Sequence, residues 1–397
     1  MWDEYSSELR LSNEDFLNVK QSSAPKNQRC PYFLSCGGCQ LLNWDYPKQI
    51  AWKEKQIQNL LKSPLSVIPA QQVTAYRNKN SFSFITEKYI TQGGFFKAQS
   101  KTLIPIEHCL IQDPHAEAIF LNLLKLMKQN RIEAYSDKRQ TGVLRHAVVR
   151  TSESTQEIML ILVVGVTPYP GRKNFIQAIK KAHPEITTIV ENVQVDPSPY
   201  LLGKKDEVLF GKGYIQETLF GLNFKLGARS FFQIHPKQAE VLFDDVLKHA
   251  DLAIGDKVID AYSGVGVLGM LVATRVKQVV CVESNDDAVY YAKQNIQLNQ
   301  LKNVSIVKDD ATHWLANQKD GFDVLMMDPP REGASVEFLA HLVRSKPKTI
   351  IYISCNPKSL ARDLNVLSTD YSITHQQGFD LFPQTVHVET VVILKRN

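Results

Sequence analysis

Residues 258–269 read Val258-Ile259-Asp260-Ala261-Tyr262-Ser263-Gly264-Val265-Gly266-Val267-Leu268-Gly269. The apolar start predicts a buried strand, and the glycines predict a tight turn into a helix whose free N–H groups face a ligand. The spacing satisfies the pattern Gly-x-Gly-x-x-Gly, which is typical of dinucleotide sites. Because such turns serve several cofactors, the stretch predicts a cofactor-binding fold and leaves the cofactor open.

Strands and helices alternate after this turn. Short apolar strands are predicted over Lys257–Tyr262, Gln278–Glu283, Val304–Lys308, Phe322–Asp328 and Thr349–Ser354. The helical stretches between them indicate a parallel, doubly wound α/β sheet. Too little chain separates Tyr371–Phe379 from Glu389–Leu394 for a crossover helix, so the last strand should be antiparallel. A Rossmann-like mixed sheet of this kind favours a class I S-adenosylmethionine-dependent methyltransferase fold over a dehydrogenase.

Length and composition indicate an ordinary globular protein with two or three domains. The chain has 397 residues, of which 44% are hydrophobic and 22% charged, and its formal net charge is +5. This mild positive charge permits nucleic-acid binding without requiring it. No apolar run could cross a bilayer and Met1-Trp2-Asp3-Glu4 does not resemble a secretory signal, so a cytoplasmic location without membrane contact is expected. The predicted segments are a polar, poorly structured tail (1–29), a cysteine knuckle with a helix (30–71), a central α+β domain (72–227) and the cofactor domain (228–397).

Three cysteines lie close together in the second segment. Cys30, Cys36 and Cys39 have the spacing C-x5-C-x2-C, and a Gly-Gly pair before the last one lets the backbone fold back so that the thiols converge. Cys109 is the only other cysteine before the cofactor domain. Four thiolates suit either an iron–sulfur cluster or a structural zinc ion.

The central segment predicts a mainly antiparallel sheet with a helix over Ala116–Gln129. Residues 72–110 carry five basic side chains against two acidic ones, interleaved with phenylalanines at positions 82, 84, 95 and 96. Such a face could contact RNA phosphates through its cations and bases through its rings. Alternating phenylalanines in a strand can equally point into a core, so both interpretations stay open.

Polar groups follow three of the predicted strands at the edge where α/β sheets bind ligands. Glu283 ends the second strand, where a carboxylate can accept hydrogen bonds from ribose hydroxyls. Asp328 is followed by two prolines, which stiffen the chain and remove backbone donors. Cys355, in Ile353-Ser354-Cys355-Asn356-Pro357, is either a structural thiol or a nucleophile placed where a substrate would lie.

Several motifs together resemble the RNA uracil-C5 methyltransferase family. In chain order they are Tyr76-Arg77-Asn78-Lys79, Ser230-Phe231-Phe232-Gln233, the Asp-x-Tyr-Ser-Gly-x-Gly turn, Asp328-Pro329-Pro330-Arg331, Ser354-Cys355-Asn356-Pro357 and His387-Val388-Glu389-Thr390. With the four cysteines the resemblance covers nearly all of residues 30–397. It is greatest to the bacterial 23S rRNA enzymes, in which four such cysteines hold a [4Fe–4S] cluster. Transfer-RNA relatives share the catalytic motifs.

The resemblance implies covalent catalysis. Cys355 would add to C6 of uracil, which makes C5 reactive toward the methyl group of S-adenosylmethionine. Glu389 would then remove the C5 proton.

The resemblance also implies the ligand contacts. Cofactor contacts fall on Gln233, Tyr262, Glu283, Asp310 and Asp328, although Asp309 makes the assignment of Asp310 ambiguous. The metal ligands would be Cys30, Cys36, Cys39 and Cys109. RNA phosphates would meet Arg77 and Arg331, the uracil edge would lie near Asn356, and Phe231 or Phe232 would either stack on the base or belong to the core.

The sequence departs from the family pattern in two places. Ser263 replaces a cysteine that is common in the turn, and only 29 mostly polar residues precede Cys30, too few for the small β-barrel with which many members begin. A monomer acting on 23S rRNA is expected, with tRNA as the alternative substrate. Two different classes remain open at this point: an iron–sulfur oxidoreductase that uses nicotinamide or flavin, and a non-catalytic RNA-binding protein with a zinc knuckle.

Overall fold

A computed structural model describes Leu9, Ser198 and residues 11–88, 90–97, 100–195 and 200–397. The helices are α1 Asn13–Gln21, α2 Tyr46–Leu61, α3 Pro114–Gln129, α4 Arg172–Ala182, α5 Pro236–His249, α6 Val267–Val272, α7 Asp286–Leu298, α8 Ala311–Asn317, α9 Val336–Ser345 and α10 Pro357–Leu367. The strands are β1 Val67–Ile68, β2 Lys79–Glu87, β3 Ile90–Phe96, β4 Leu103–Pro105, β5 Leu144–Thr151, β6 Ile158–Val164, β7 Ile186–Val193, β8 Lys205–Phe210, β9 Ile215–Leu219, β10 Leu222–Leu226, β11 Lys257–Ala261, β12 Gln278–Glu283, β13 Val304–Lys308, β14 Val324–Met327, β15 Thr349–Ser354, β16 Tyr371–Phe379 and β17 Glu389–Arg396.

The carboxyl-terminal sheet confirms the predicted fold class. Its strand order is β1-β16-β17-β15-β14-β11-β12-β13. The five strands from β11 to β15 pair in parallel, whereas β17 is antiparallel to both β15 and β16. The strand β14 is shorter than predicted, because it ends before the Asp-Pro-Pro sequence that cannot continue a parallel ladder. Parallel strands place their carboxyl ends at one edge of the sheet, and that edge carries the candidate site.

The central sheet has the order β4-β3-β2-β5-β6-β7-β8. It is antiparallel except that β6 and β7 run parallel, with α4 as the connection between them. Phe82 and Phe84 are fully buried, and the ring of Phe82 stacks on Phe120 of α3 with centroids 4.0 Å apart. These two rings therefore belong to the core, and the idea that they stack on RNA bases is wrong.

The amino-terminal tail contains a helix that the sequence did not predict. Residues 1–8 and 10 lie outside the described residues, but α1 follows them and buries Val19 completely. Ser12 caps its first turn by accepting a hydrogen bond from the amide of Asp15. Asn18 accepts hydrogen bonds from the Trp44 indole and the Lys48 ammonium, at 3.2 and 2.9 Å. This largely polar helix is thus stabilised by contacts with the cysteine segment rather than by an apolar stripe.

The cysteine segment packs on the carboxyl-terminal sheet. The short strand β1 adds to its edge beside β16, and Trp52 and Ile57 of α2 share a core with Val386 and Val388. Among the described residues, no helix combines the length and apolarity needed to cross a lipid bilayer.

Candidate active site

The glycine-rich turn after β11 borders an open cavity of about 520 Å³. Tyr262 has a φ of 61°, a left-handed conformation that costs energy for a residue other than glycine and is typical of functional sites. Gly264 and Gly266 also have positive φ, at 56° and 83°. Tyr262, Ser263 and Gly264 all line the cavity.

Asp260, at the end of β11, is a cavity residue that the sequence reasoning did not single out. Its carboxylate Oδ2 accepts a hydrogen bond of 2.8 Å from the amide of Gly269, which ties the strand to α6. Burial raises its pKa to about 7, and the charges of Asp328 and Glu283 act in the same direction. The sequence contained a sign of this, because a carboxylate near the end of an otherwise apolar buried strand usually has a structural or functional role.

Glu283 and Asp310 lie beside this turn and brace it. Glu283 Oε2 accepts a hydrogen bond of 2.9 Å from the amide of Gly264, so its carboxylate holds the turn from the neighbouring strand. Asp310 caps α8 through the amides of Thr312 and His313. Burial raises the pKa of Tyr262 to about 12, and the charge of Asp310 adds to this, so Asp310 lies close to that cavity side chain.

The neighbouring carboxylate of Asp309 faces elsewhere. It lies 2.9 Å from Nδ1 of His313, on the exposed side of α8. The geometry therefore favours Asp310 over Asp309 as the carboxylate at the cofactor cavity.

Gln233 and Phe231 form the opposite wall of the cavity. Asn78 donates a hydrogen bond of 3.2 Å to the Gln233 carbonyl, so the Tyr76-Arg77-Asn78-Lys79 motif fixes the backbone beside the cavity. Both phenylalanines border the cavity, but Phe232 is buried and packed in the core, whereas Phe231 is 63% exposed. Phe231 is therefore the more accessible ring for stacking on a ligand.

Cys355, Asp328 and Glu389 meet at one end of the carboxyl-terminal sheet. Ser354 on β15 pairs with Thr390 on β17, so the next pair outward is Cys355 opposite Glu389. Asp328 follows the adjacent strand β14 and lines the cavity. The sheet thus brings together a thiol and a carboxylate that are 34 residues apart in the chain, and places both next to the cofactor cavity.

The three groups share one electrostatic environment. Burial raises the pKa of the Cys355 thiol, and the charges of Glu389 and Asp328 raise it further, while Arg331 opposes them. Burial also raises the pKa of Glu389 well above its ordinary value, and that of Asp328 to about 7. Glu389 is 3% exposed, and its Oε2 is buried with no hydrogen-bond partner. Perturbed acids with an unsatisfied oxygen at a cavity are typical of a catalytic centre.

Asn356 has protein partners at both ends of its side-chain amide. Its Oδ1 accepts a hydrogen bond from the amide of Lys358 and so caps α10, while its Nδ2 donates to the carbonyl of Arg331 at 2.7 Å. The side chain therefore holds the loop of Arg331 beside Cys355, and its position near the uracil edge stays a prediction.

The four predicted metal ligands lie around one point. All are free, partly exposed cysteines. Burial raises the pKa of Cys39, and the charges of Cys109, Cys36 and Cys30 raise it further, which shows that the other three sulfurs are close to it. The amide of Gly38 donates to Cys36 Sγ at 3.4 Å, an arrangement that suits a thiolate.

Arg77 lies beside these cysteines. Its guanidinium acts on the pKa of both Cys39 and Cys109 in the direction opposite to burial. Its charge therefore complements thiolates at these positions, and its predicted contact with an RNA phosphate stays a prediction.

One other group of described residues has the composition of a metal site. Ligand atoms of Asp245, His249 and His375 all lie within 4.8 Å of one another, on α5 and β16. The two imidazole rings are parallel, with centroids 3.8 Å apart and an angle of 8° between them. Their in-plane lone pairs therefore run side by side instead of converging on one ion.

Comparison with known proteins identifies the family. The model of the family described as tRNA (Uracil-5-)-methyltransferase matches residues 45–397. The chain belongs to this uracil-C5 methyltransferase family. Its curated relatives include an uncharacterized RNA methyltransferase of Halalkalibacterium halodurans, 34% identical over 96% of this chain and 86% of the relative. Another, from Oceanobacillus iheyensis, is 35% identical over 91% of this chain and 82% of the relative.

A solved member of the family has the same fold. The Pyrococcus abyssi tRNA (uracil-54, C5)-methyltransferase, solved with S-adenosyl-L-homocysteine, superimposes with a TM-score of 0.75 at 27% identity and covers 90% of this chain and 86% of its own. The protein is thus an RNA uracil-C5 methyltransferase that uses S-adenosylmethionine. The two alternatives of another class, an oxidoreductase and a non-catalytic zinc protein, are wrong.

Proposed function

We propose that the protein methylates C5 of a specific uridine in 23S rRNA through a covalent Cys355 adduct. The observation that carries the mechanism is the proximity of Cys355 and Glu389, one residue beyond the Ser354–Thr390 pair of β15 and β17, next to the cavity lined by Asp328. The four-cysteine set, which resembles that of the 23S rRNA enzymes, supports the choice of RNA. Transfer RNA is the second candidate, because the solved family member acts on uracil-54 of tRNA.

The reaction balances with these residues. The Cys355 thiolate forms a bond to C6, and the electron pair of the C5–C6 double bond moves into the C4–C5 unit. C5 then attacks the methyl carbon of the sulfonium cofactor, and S-adenosylhomocysteine leaves. Glu389 takes the C5 proton, the double bond re-forms and the C6–S bond breaks. A carboxyl with a raised pKa suits this last task, because its conjugate base is stronger than an ordinary carboxylate.

The cofactor would be held between the turn and the opposite wall. Tyr262 and Gln233 line the cavity on two sides, while Glu283 and Asp310 stand beside the turn. A bound sulfonium would supply positive charge beside Asp328 and Cys355. Since opposite charges lower a thiol pKa, cofactor binding would favour the thiolate.

The resemblance of the four-cysteine set to that of the 23S rRNA enzymes favours a [4Fe–4S] cluster over zinc. Arg77 acts on the pKa of both Cys39 and Cys109, so it lies close enough to offset the negative charge of such a cluster.

Mapping of 5-methyluridine tests the substrate. We expect 23S rRNA from cells lacking the gene to lose one methylated uridine, and the purified protein with S-adenosylmethionine to restore it. Loss confined to tRNA would transfer the assignment to the second candidate, and unchanged methylation in both RNAs would refute the proposal.

The metal centre makes a separate prediction. We expect Cys39→Ser, purified anaerobically, to lose most of the bound iron and the visible absorption of the wild-type protein. The charges of the other three cysteines all raise the pKa of Cys39, so its thiol lies close to each of them. Cys281→Ser is the matched control, since Cys281 is buried outside the set and should leave the iron content unchanged. One zinc ion per chain in the wild-type protein, without iron, would exclude the cluster.

A further inference from the structure

The residues that precede Glu389 form a loop between β16 and β17, residues 380–388, that contacts the cysteine segment along most of its length. Leu41 N donates to the Gln384 carbonyl at 2.9 Å, and Tyr76 Oη donates to the Pro383 carbonyl at 3.0 Å. The side chains of Val386 and Val388 are buried in the core of the cysteine segment. The backbone of the loop that leads to Glu389 is therefore held by contacts with residues more than 300 positions earlier in the chain.

An ion pair without solvent exposure holds the start of this loop. The ammonium of Lys53, on α2, lies 2.7 Å from Asp380 Oδ1, and both side chains are 0% exposed. Lys53 also donates to the carbonyl of Phe382 at 3.2 Å. The second carboxylate oxygen of Asp380 accepts a hydrogen bond of 2.9 Å from Tyr46, which also lies on α2. Asp380 directly follows β16, so these bonds fix the point at which the chain leaves the sheet.

A pair of buried glutamines holds the middle of the loop. Gln384 has a φ of 73°, a conformation that a residue other than glycine keeps only when its surroundings fix it. Its amide donates to Gln49 Oε1 at 3.0 Å, and its Oε1 accepts from Gln49 Nε2 at 2.8 Å. Both glutamines are 0% exposed. One residue of α2 thus makes two of the hydrogen bonds that hold the strained turn.

We propose that Lys53 and Gln49 are positioning residues for catalysis, because through Asp380 and Gln384 they set the place of the Glu389 carboxyl relative to Cys355. Neither touches the reacting atoms. The backbone of Glu389 pairs with Phe379, the residue that directly precedes Asp380, so the bonds to Asp380 act one residue away from the strand partner of Glu389. Its buried Oε2 has no hydrogen-bond partner among the described residues, so the position of that oxygen depends on how the backbone is held. This inference rests on the proposed function, since it assigns the residues to its proton-removal step.

The proposal predicts which step slows in a Lys53 variant. Removal of the Lys53 contacts should displace Glu389 without altering the cofactor cavity or the Cys355 nucleophile. A displacement of about 1 Å at a reacting group can cost about a hundredfold in rate. Methyl transfer would then still occur, whereas loss of the C5 proton and release of the RNA would slow by roughly 10- to 100-fold.

The experiment compares Lys53→Met with Lys55→Met, an exposed lysine on the same helix. Lys53→Met leaves the buried carboxylate of Asp380 without its partner, which can prevent folding. The double variant Lys53→Met with Asp380→Asn removes both charges, and it is used to test the proposal if the single variant does not fold. Each protein is mixed with S-adenosylmethionine and with rRNA and tRNA from cells that lack the gene. Tritium release from [5-³H]uracil, covalent RNA–protein adduct and cofactor affinity are measured.

Support requires slow tritium release, an adduct that accumulates, and cofactor affinity within about twofold of wild type, with Lys55→Met behaving as wild type. Tritium release at the wild-type rate in a folded Lys53 variant overturns the proposal. A parallel loss of cofactor binding, adduct and turnover also overturns it, because a merely structural role has that signature. If the wild-type protein itself neither methylates RNA nor forms an adduct, the proposed function fails instead.

Discussion

Replacement of Cys355 by alanine should abolish methylation of RNA and leave cofactor binding unchanged. The variant lacks the atom that adds to C6, so C5 is never activated, and we expect methyl transfer to fall by at least about 10³-fold. The side chain is partly exposed at the end of β15, so its truncation should cost little stability. Incorporation of labelled methyl groups into RNA measures the loss, and calorimetry measures the affinity for S-adenosylmethionine.

The same variant should form no covalent complex. Wild-type protein mixed with RNA and cofactor is expected to yield an RNA–protein band that survives denaturation, and Cys355→Ala is expected to yield none. Methyl transfer at more than a tenth of the wild-type rate would show that another group activates C5. Loss of cofactor affinity along with activity would show that the cavity itself had changed.

Replacement of Glu389 by glutamine should have the opposite effect on the adduct. The glutamine occupies the same volume but cannot take the C5 proton, so turnover should fall by about 10²- to 10⁴-fold while the methylated adduct accumulates. The two variants serve as controls for each other, since they share the site and differ in the step that they block. An adduct that does not accumulate in Glu389→Gln would assign proton removal to a different group.

The stability of Glu389→Gln provides a check that this variant is folded. Burial, with the charge of Asp328, raises the pKa of Glu389 well above its ordinary value of 4.5, so the folded protein binds this proton more tightly than the unfolded chain. Its contribution to stability is therefore complete below about pH 4.5 and is lost as the pH rises toward the folded-state value. Glutamine does not ionise, so the variant should unfold at an equal or higher temperature than wild type at pH 8, and its melting temperature should depend less on pH.

The sequence was most informative where the pattern was local and repeated. The bounds of β12, β13, β15 and β16 agree with the prediction, because apolar spacing and flanking turn residues define short elements well. The antiparallel last strand also followed from local information, namely the length of the connection before it. The helix α1 was missed because its residues are mostly polar and its stability comes from partners such as Trp44.

Contacts between distant residues could not be predicted from patterns. Lys53 and Asp380 are 327 residues apart, and each looks like an ordinary surface charge in the sequence. The burial of side chains was equally hidden: the adjacent phenylalanines at 231 and 232 both border the cavity, but one is largely exposed and the other is buried in the core. The proximity of Arg77 to the cysteines was not predicted either, and its contact with RNA phosphate stays a prediction.

The position of β17 has a consequence for synthesis of the protein. This strand, residues 389–396, lies between β15 and β16, so both of those strands have an unpaired edge until it has left the ribosome. The same strand carries Glu389, the group proposed to release RNA from Cys355. Cys355 is therefore synthesised before Glu389. The sheet that positions Cys355 is completed only when β17, which carries Glu389, has also been synthesised.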